Sequence, residues 1–173
     1  QLPTQGIGEW CHPLLSATIN DSGLRSLVHH DTFQTSLGIP FRLKEKGNNI
    51  LFTSLWDNYP DSSTISLSGT ASHAYLLMAG STNIANGIIR IHYADGTSQA
   101  TELINPDNWC PIEQDLYVDG KAFQVPAPRP YRLHLKSGKV SRDLGKELNI
   151  TGVYGREIEG GAGILLDIPL DHS

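Results

Sequence analysis

Two clusters of aromatic and amide- or carboxylate-bearing residues hold most of the chemistry this sequence could do. One is Trp56-Asp57-Asn58-Tyr59-Pro60. The other is Asn108-Trp109-Cys110-Pro111 with Glu113-Gln114-Asp115 just after it. Indole and phenol rings cover apolar C–H faces, while Asp, Asn, Gln and Glu hydrogen-bond hydroxyls. A polyhydroxylated ligand such as a sugar needs both. The candidate binding residues are therefore Trp56, Asp57, Asn58, Tyr59, Trp109, Glu113, Gln114 and Asp115. The same tryptophans read equally well as side chains packing the ends of the fold.

Catalysis has thinner support. Glu113 and Asp115 could form a general acid/base pair of the kind glycosidases use, or they could be a solvated loop pair. No Gly-x-Ser-x-Gly elbow is present, so a hydrolase nucleophile of that type is not supported. His-Glu-x-x-His and Cys-x-x-Cys are also absent, which removes the familiar zinc sites. Gly160-Gly161-Ala162-Gly163 precedes a strand pattern, whereas a phosphate cradle needs a helix N-terminus. It reads as a turn or bulge. In His29-His30-Asp31 the two imidazoles are neighbours, and neighbours on a strand point to opposite faces. His73 and His92 sit on or beside apolar strands and read as structural. Asp57, Asp61, Asp95 and Asp107 are loop oxygens that could hold a structural calcium, without EF-hand spacing. No other cofactor is expected.

The elements that must position these residues are short strands. Seventeen Gly and ten Pro punctuate the chain, which disfavours long helices. Residues 1–23 read as an extended lead-in or interdomain linker, and residues 24–173 as one β-sandwich domain. Strand signals begin near Leu24. Ile50 to Thr53 is a short β-rich run, and Thr64 to Ser68 alternates with Ile65 and Leu67 on one face. Ala74 to Ala79 is apolar throughout and predicts a central strand covered on both faces. Ile88 to Tyr93 places Ile89, Ile91 and Tyr93 on one face. Asp95-Gly96 then supplies the positive-φ residues of a tight hairpin turn, and Ala100 to Ile104 returns. Asn105 to Arg129, with Pro106, Pro111, Pro126 and Pro128, predicts a long loop. Tyr131 to Leu135 alternates. Val140 to Leu148 predicts a helix capped by Ser141. Gly152 to Ile158 and Ile164 to Leu170 predict closing strands. The expected class is all-β, a jelly-roll-like antiparallel sandwich.

Charge and composition limit the partners. The formal net charge is −5 and no Lys/Arg run occurs, so nucleic acid, which needs a basic face, is not expected. No apolar stretch is long enough for a membrane helix. Cys11 and Cys110 could pair in an oxidising compartment and tie the lead-in to the long loop.

Several segments together resemble a known family. They are Gly38-Ile39-Pro40-Phe41, Phe52 to Pro60, Ala74 to Asn83, Tyr93-Ala94-Asp95-Gly96-Thr97 and Asn105-Pro106-Asp107-Asn108-Trp109. The series is similar to a galactose-binding-like β-sandwich found in large glycosidase-like proteins of glycan-degrading bacteria, and it covers roughly residues 6–170. The resemblance implies a glycan-processing setting, secreted or periplasmic. It also implies two partners: carbohydrate, and an α/α-toroid catalytic domain of the same protein. The expected role is an ancillary module that binds glycan or braces that catalytic domain; the alternative is a self-contained glycoside hydrolase. The apolar run up to Leu170, followed by Asp171-His172-Ser173, and the linker-like opening suggest a piece of a longer protein, with an unpaired strand edge or exposed apolar patch.

Overall fold

A computed structural model of the chain describes residues 20–48, 50–51, 53, 60–78, 87–104, 108, 130–148 and 159–171. Among these the structure is all-β in character, with antiparallel strands and two helices of four and five residues. In chain order the elements are α1 (Ser22–Ser26), β1 (Thr32–Gln34), β2 (Pro40–Arg42), β3 (His73–Met78) and β4 (Ile88–His92). Then come β5 (Ser98–Glu102), β6 (Tyr131–His134), β7 (Val140–Ser141), α2 (Leu144–Glu147) and β8 (Ala162–Pro169).

β8 is the axis of the fold. Its run Ile164-Leu165-Leu166 with Ile168 is apolar in both parities, so both faces must be covered. It pairs with β3 on one side and β6 on the other, giving the sheet order β3-β8-β6-β7. On one face Leu133 and Leu165 are buried with Leu24 of α1, Val28 of the segment that follows it and Phe33 of the β1–β2 hairpin. Phe33 lies opposite Phe41 in that hairpin, and their rings stack at 5.2 Å. On the other face Ile164, Leu166 and Ile168 are buried with Leu103, and Ile89 and Ile91 of the β4–β5 hairpin pack against them. The result is a sandwich-like stack, hairpin on sheet on helix-plus-hairpin, with two apolar cores.

The junction from α1 into β1 is a two-residue turn. His29 and Thr32 exchange backbone bonds at 2.7 and 3.1 Å, and His30 and Asp31 between them have φ of 54° and 58°. Glu45 locks the turn. Its Oε1 accepts from the His30 amide at 3.0 Å, and its own amide donates to Asp31 Oδ1 at 2.9 Å. A left-handed residue other than Gly costs about 1–2 kcal/mol, and the extra unfolded-state entropy of Gly takes back about 0.4–1 kcal/mol. His30→Gly is therefore expected to stabilise the fold by about 0.5–1 kcal/mol in urea denaturation. A drop in stability would contradict the left-handed turn. Asp31→Gly should gain nothing, because it removes the bond to Glu45.

Several expectations need correction. Leu24 lies in a helix, because α1 docks on the β6–β7 turn through Leu24 N–H to Leu135 O at 2.9 Å. Thr64 to Ser68 forms no strand, and Ile65 and Leu67 are 56% and 76% exposed. The alternation is there, but no neighbouring strand completes it among the described residues. Ile50 and Leu51 are likewise exposed and outside any strand. The segment expected to be central, β3, stands at the end of the described sheet order and is only half-buried; β8 is central instead. The β4–β5 turn has three loop residues rather than two. Gly96 N–H donates to Tyr93 O at 3.1 Å, Tyr93 N–H to Thr97 O at 2.9 Å, and only Gly96, at φ 87°, is left-handed. Val140 to Leu148 divides into β7 and α2, and Asp143 rather than Ser141 caps the helix, accepting from Lys146 N–H at 3.2 Å.

Candidate functional site

Every binding residue expected from the sequence lies outside the described residues: Trp56, Asp57, Asn58, Tyr59, Trp109, Glu113, Gln114 and Asp115. So do Cys11 and Cys110, the Gly152 to Ile158 strand and most of the proline-rich loop. Of the four aspartates considered for calcium, Asp61 and Asp95 are described. Asp61 Oδ1 accepts from Ser62 Oγ at 3.1 Å. Asp95 Oδ1 closes its own turn, accepting from Thr97 N–H at 2.9 Å and Thr97 Oγ at 2.6 Å. Among the described residues no group of three His, Cys, Asp or Glu side chains could hold a metal ion.

The described histidines differ sharply in what they do. His134 is buried on β6. Its Nε2 donates to Glu159 O at 2.7 Å, because a carbonyl can only accept, and its Nδ1 then accepts from Ser137 Oγ at 2.7 Å. This ring fastens the β6–β7 turn to the approach to β8 and has a structural role. Nearby, the Lys136 ammonium bonds Glu159, and that hydrogen bond and charge hold the Glu159 carboxyl below its ordinary value. His29 precedes the left-handed turn and His30 is its first residue. His92 is exposed on the outer face of β4.

His73 is the one that stands in a ligand-like setting. Successive strand residues alternate faces, so His73, Tyr75 and Leu77 share one face of β3. The matching face of β8 carries Leu165 and Asp167, with Asp167 directly opposite Tyr75. Toward the start of β3 this face passes from buried Leu165 to exposed polar groups. There His73 Nδ1 and Asp167 Oδ1 lie 2.7 Å apart, with side chains 41% and 50% exposed. The Tyr75 ring is parallel to the imidazole within 14°, at a centroid distance of 6.0 Å. An exposed contact of this kind adds only about 0–1 kcal/mol to stability, whether or not the imidazole is charged. Outward, the patch presents an aromatic ring, a ring nitrogen and a carboxylate.

Its geometry is fixed from the opposite side of the sheet. Tyr93 OH bonds the Gln99 side-chain oxygen. Gln99 Nε2 donates to Pro169 O at 2.9 Å, and the Asp171 amide donates to Tyr93 OH at 3.0 Å and Gln99 Oε1 at 2.9 Å. These bonds clip the end of β8 to the β4–β5 hairpin two and four residues beyond Asp167. The sequence did hold one signal for the patch. Asp167 interrupts the apolar run from Ile164 to Ile168, and a carboxylate there must meet either a partner or solvent. His73 and Tyr75 carried no such signal.

No family model, curated protein or solved structure matches this chain.

Proposed function

We propose that the chain is an ancillary carbohydrate-binding module of a glycoside-hydrolase-like protein, folded as a galactose-binding-like jelly-roll sandwich and working outside the cytoplasm. The alternative role within that setting is to brace an α/α-toroid catalytic domain. Three things support the reading: the antiparallel sheet with cores on both faces, the family resemblance of the sequence, and the His73–Tyr75–Asp167 patch. The patch carries the most weight. A sugar ring needs an aromatic surface for its C–H face and fixed polar groups for its hydroxyls, and here both stand on adjacent strands.

The test is affinity for glycans, by array and then by titration calorimetry. Tyr75→Ala is expected to cost about 1–3 kcal/mol of binding, the usual worth of a stacked aromatic. Trp56→Ala, in the sequence-identified loop, serves as the comparison. Loss in Trp56→Ala with full binding in Tyr75→Ala would move the site from the sheet face to that loop. Absence of binding to every glycan would sink the module as a binder and leave the bracing role.

A further inference from the structure

The polarity of the His73–Asp167 pair narrows the ligand class; this step rests on the carbohydrate-binding reading and concerns the same patch. A carboxylate only accepts, so His73 Nδ1 carries the proton that reaches Asp167 Oδ1. In the neutral ring that leaves Nε2 as an acceptor. His134 is the reverse case, with Nε2 committed as the donor. The exposed patch thus offers an imidazole lone pair and the remaining carboxylate lone pairs beside the Tyr75 ring. Protonation of His73 would bring the pair to neutrality, never to net positive charge. The residues sharing this face of the two strands are His73, Tyr75, Leu77, Gly163, Leu165, Asp167 and Pro169, none of them Lys or Arg. The chain as a whole carries −5.

We infer that the patch takes a neutral glycan and rejects polymers bearing uronate or sulfate. Adjacent hydroxyls of a neutral sugar donate to His73 Nε2 and Asp167, while its C–H face lies on Tyr75. A uronate would set acceptor against acceptor and like charge against like charge; β3 and β8 carry no cation on this face, and the Arg142 guanidinium next along it is engaged over the Tyr131 ring at 4.3 Å. Rejection is strongest at low salt, where the repulsion is least screened.

Affinity electrophoresis of the 173-residue chain tests this, in gels containing galactan, galactomannan, xyloglucan or polygalacturonate at low ionic strength. At least one neutral polymer should retard the protein, and polygalacturonate should not. His73→Asn keeps a donor for Asp167 but removes the outward acceptor, so it should weaken retention in the neutral gel by about tenfold. Asp167→Asn should also weaken it, and should lessen the discrimination against polygalacturonate. Both side chains are exposed, so melting curves of these variants should match the parent. Retention by polygalacturonate equal to or above that by the neutral gels overturns the inference and leaves the binding module standing. Unchanged neutral-gel retention in both variants also overturns it, because the binding surface then lies elsewhere. No retention by any polymer counts against the proposed function itself.

Discussion

Replacing Gly23 by alanine is expected to destabilise the protein by about 3 kcal/mol, although alanine is the better helix former. In an exposed helix the exchange would gain about 0.5–1 kcal/mol. Here a Cβ on Gly23 would lie 2.2 Å from Lys136 O, 2.5 Å from Lys136 C and 2.7 Å from Ser137 Cα. All three are backbone atoms, so no side-chain rotation relieves the contact. Overpacking a tight site costs about 1–3 kcal/mol, occasionally more. The escape route is for α1 to lift off the β6–β7 turn, which would break the Leu24 N–H to Leu135 O bond and expose Leu24 and Val28. Each of those side chains contributes about 1.5–3 kcal/mol by burial, so lifting off is no easier than the clash. Urea denaturation of Gly23→Ala measures the outcome. A variant as stable as the parent would mean that α1 does not dock there.

The same helix shows why parts of the fold were not legible. Ser22-Gly23-Leu24-Arg25-Ser26 has poor intrinsic helix propensity and little more than one turn. It forms because the turn after β6 supplies a carbonyl and an apolar seat, and that turn is more than a hundred residues further along the chain. The β4–β5 hairpin is the opposite case. Ile89, Ile91 and the Asp95-Gly96 turn are local signals, and the hairpin stands where they put it. β8 was legible because its apolar residues occupy both parities. Thr64 to Ser68 misled for a related reason: alternation describes the faces a strand would have, not whether another strand is there to pair with it. The His73–Asp167 pair is separated by 94 residues. No spacing rule connects them; only the β3–β8 register does.

Leu133→Ala is expected to cost about 2–5 kcal/mol, the range for truncating a fully buried leucine. Leu133 has no exposed surface, sits on β6 opposite Gly163, and packs in the cluster of Leu24, Val28, Phe33 and Leu165. Gly163 provides no side chain to move into the space left behind, so the cavity collapses poorly and the upper half of the range applies. Leu67→Ser provides the contrast. It removes a residue of the same type from the alternating segment that the sequence alone reads as a half-buried strand, yet Leu67 is 76% exposed, and its loss should stay within about 0.5 kcal/mol. Small domains hold about 5–15 kcal/mol in all, so Leu133→Ala should shift the urea midpoint far and Leu67→Ser hardly at all. Equal shifts in the two variants would mean that Thr64 to Ser68 is a covered strand after all, and the two-core arrangement around β8 would have to be redrawn to include it.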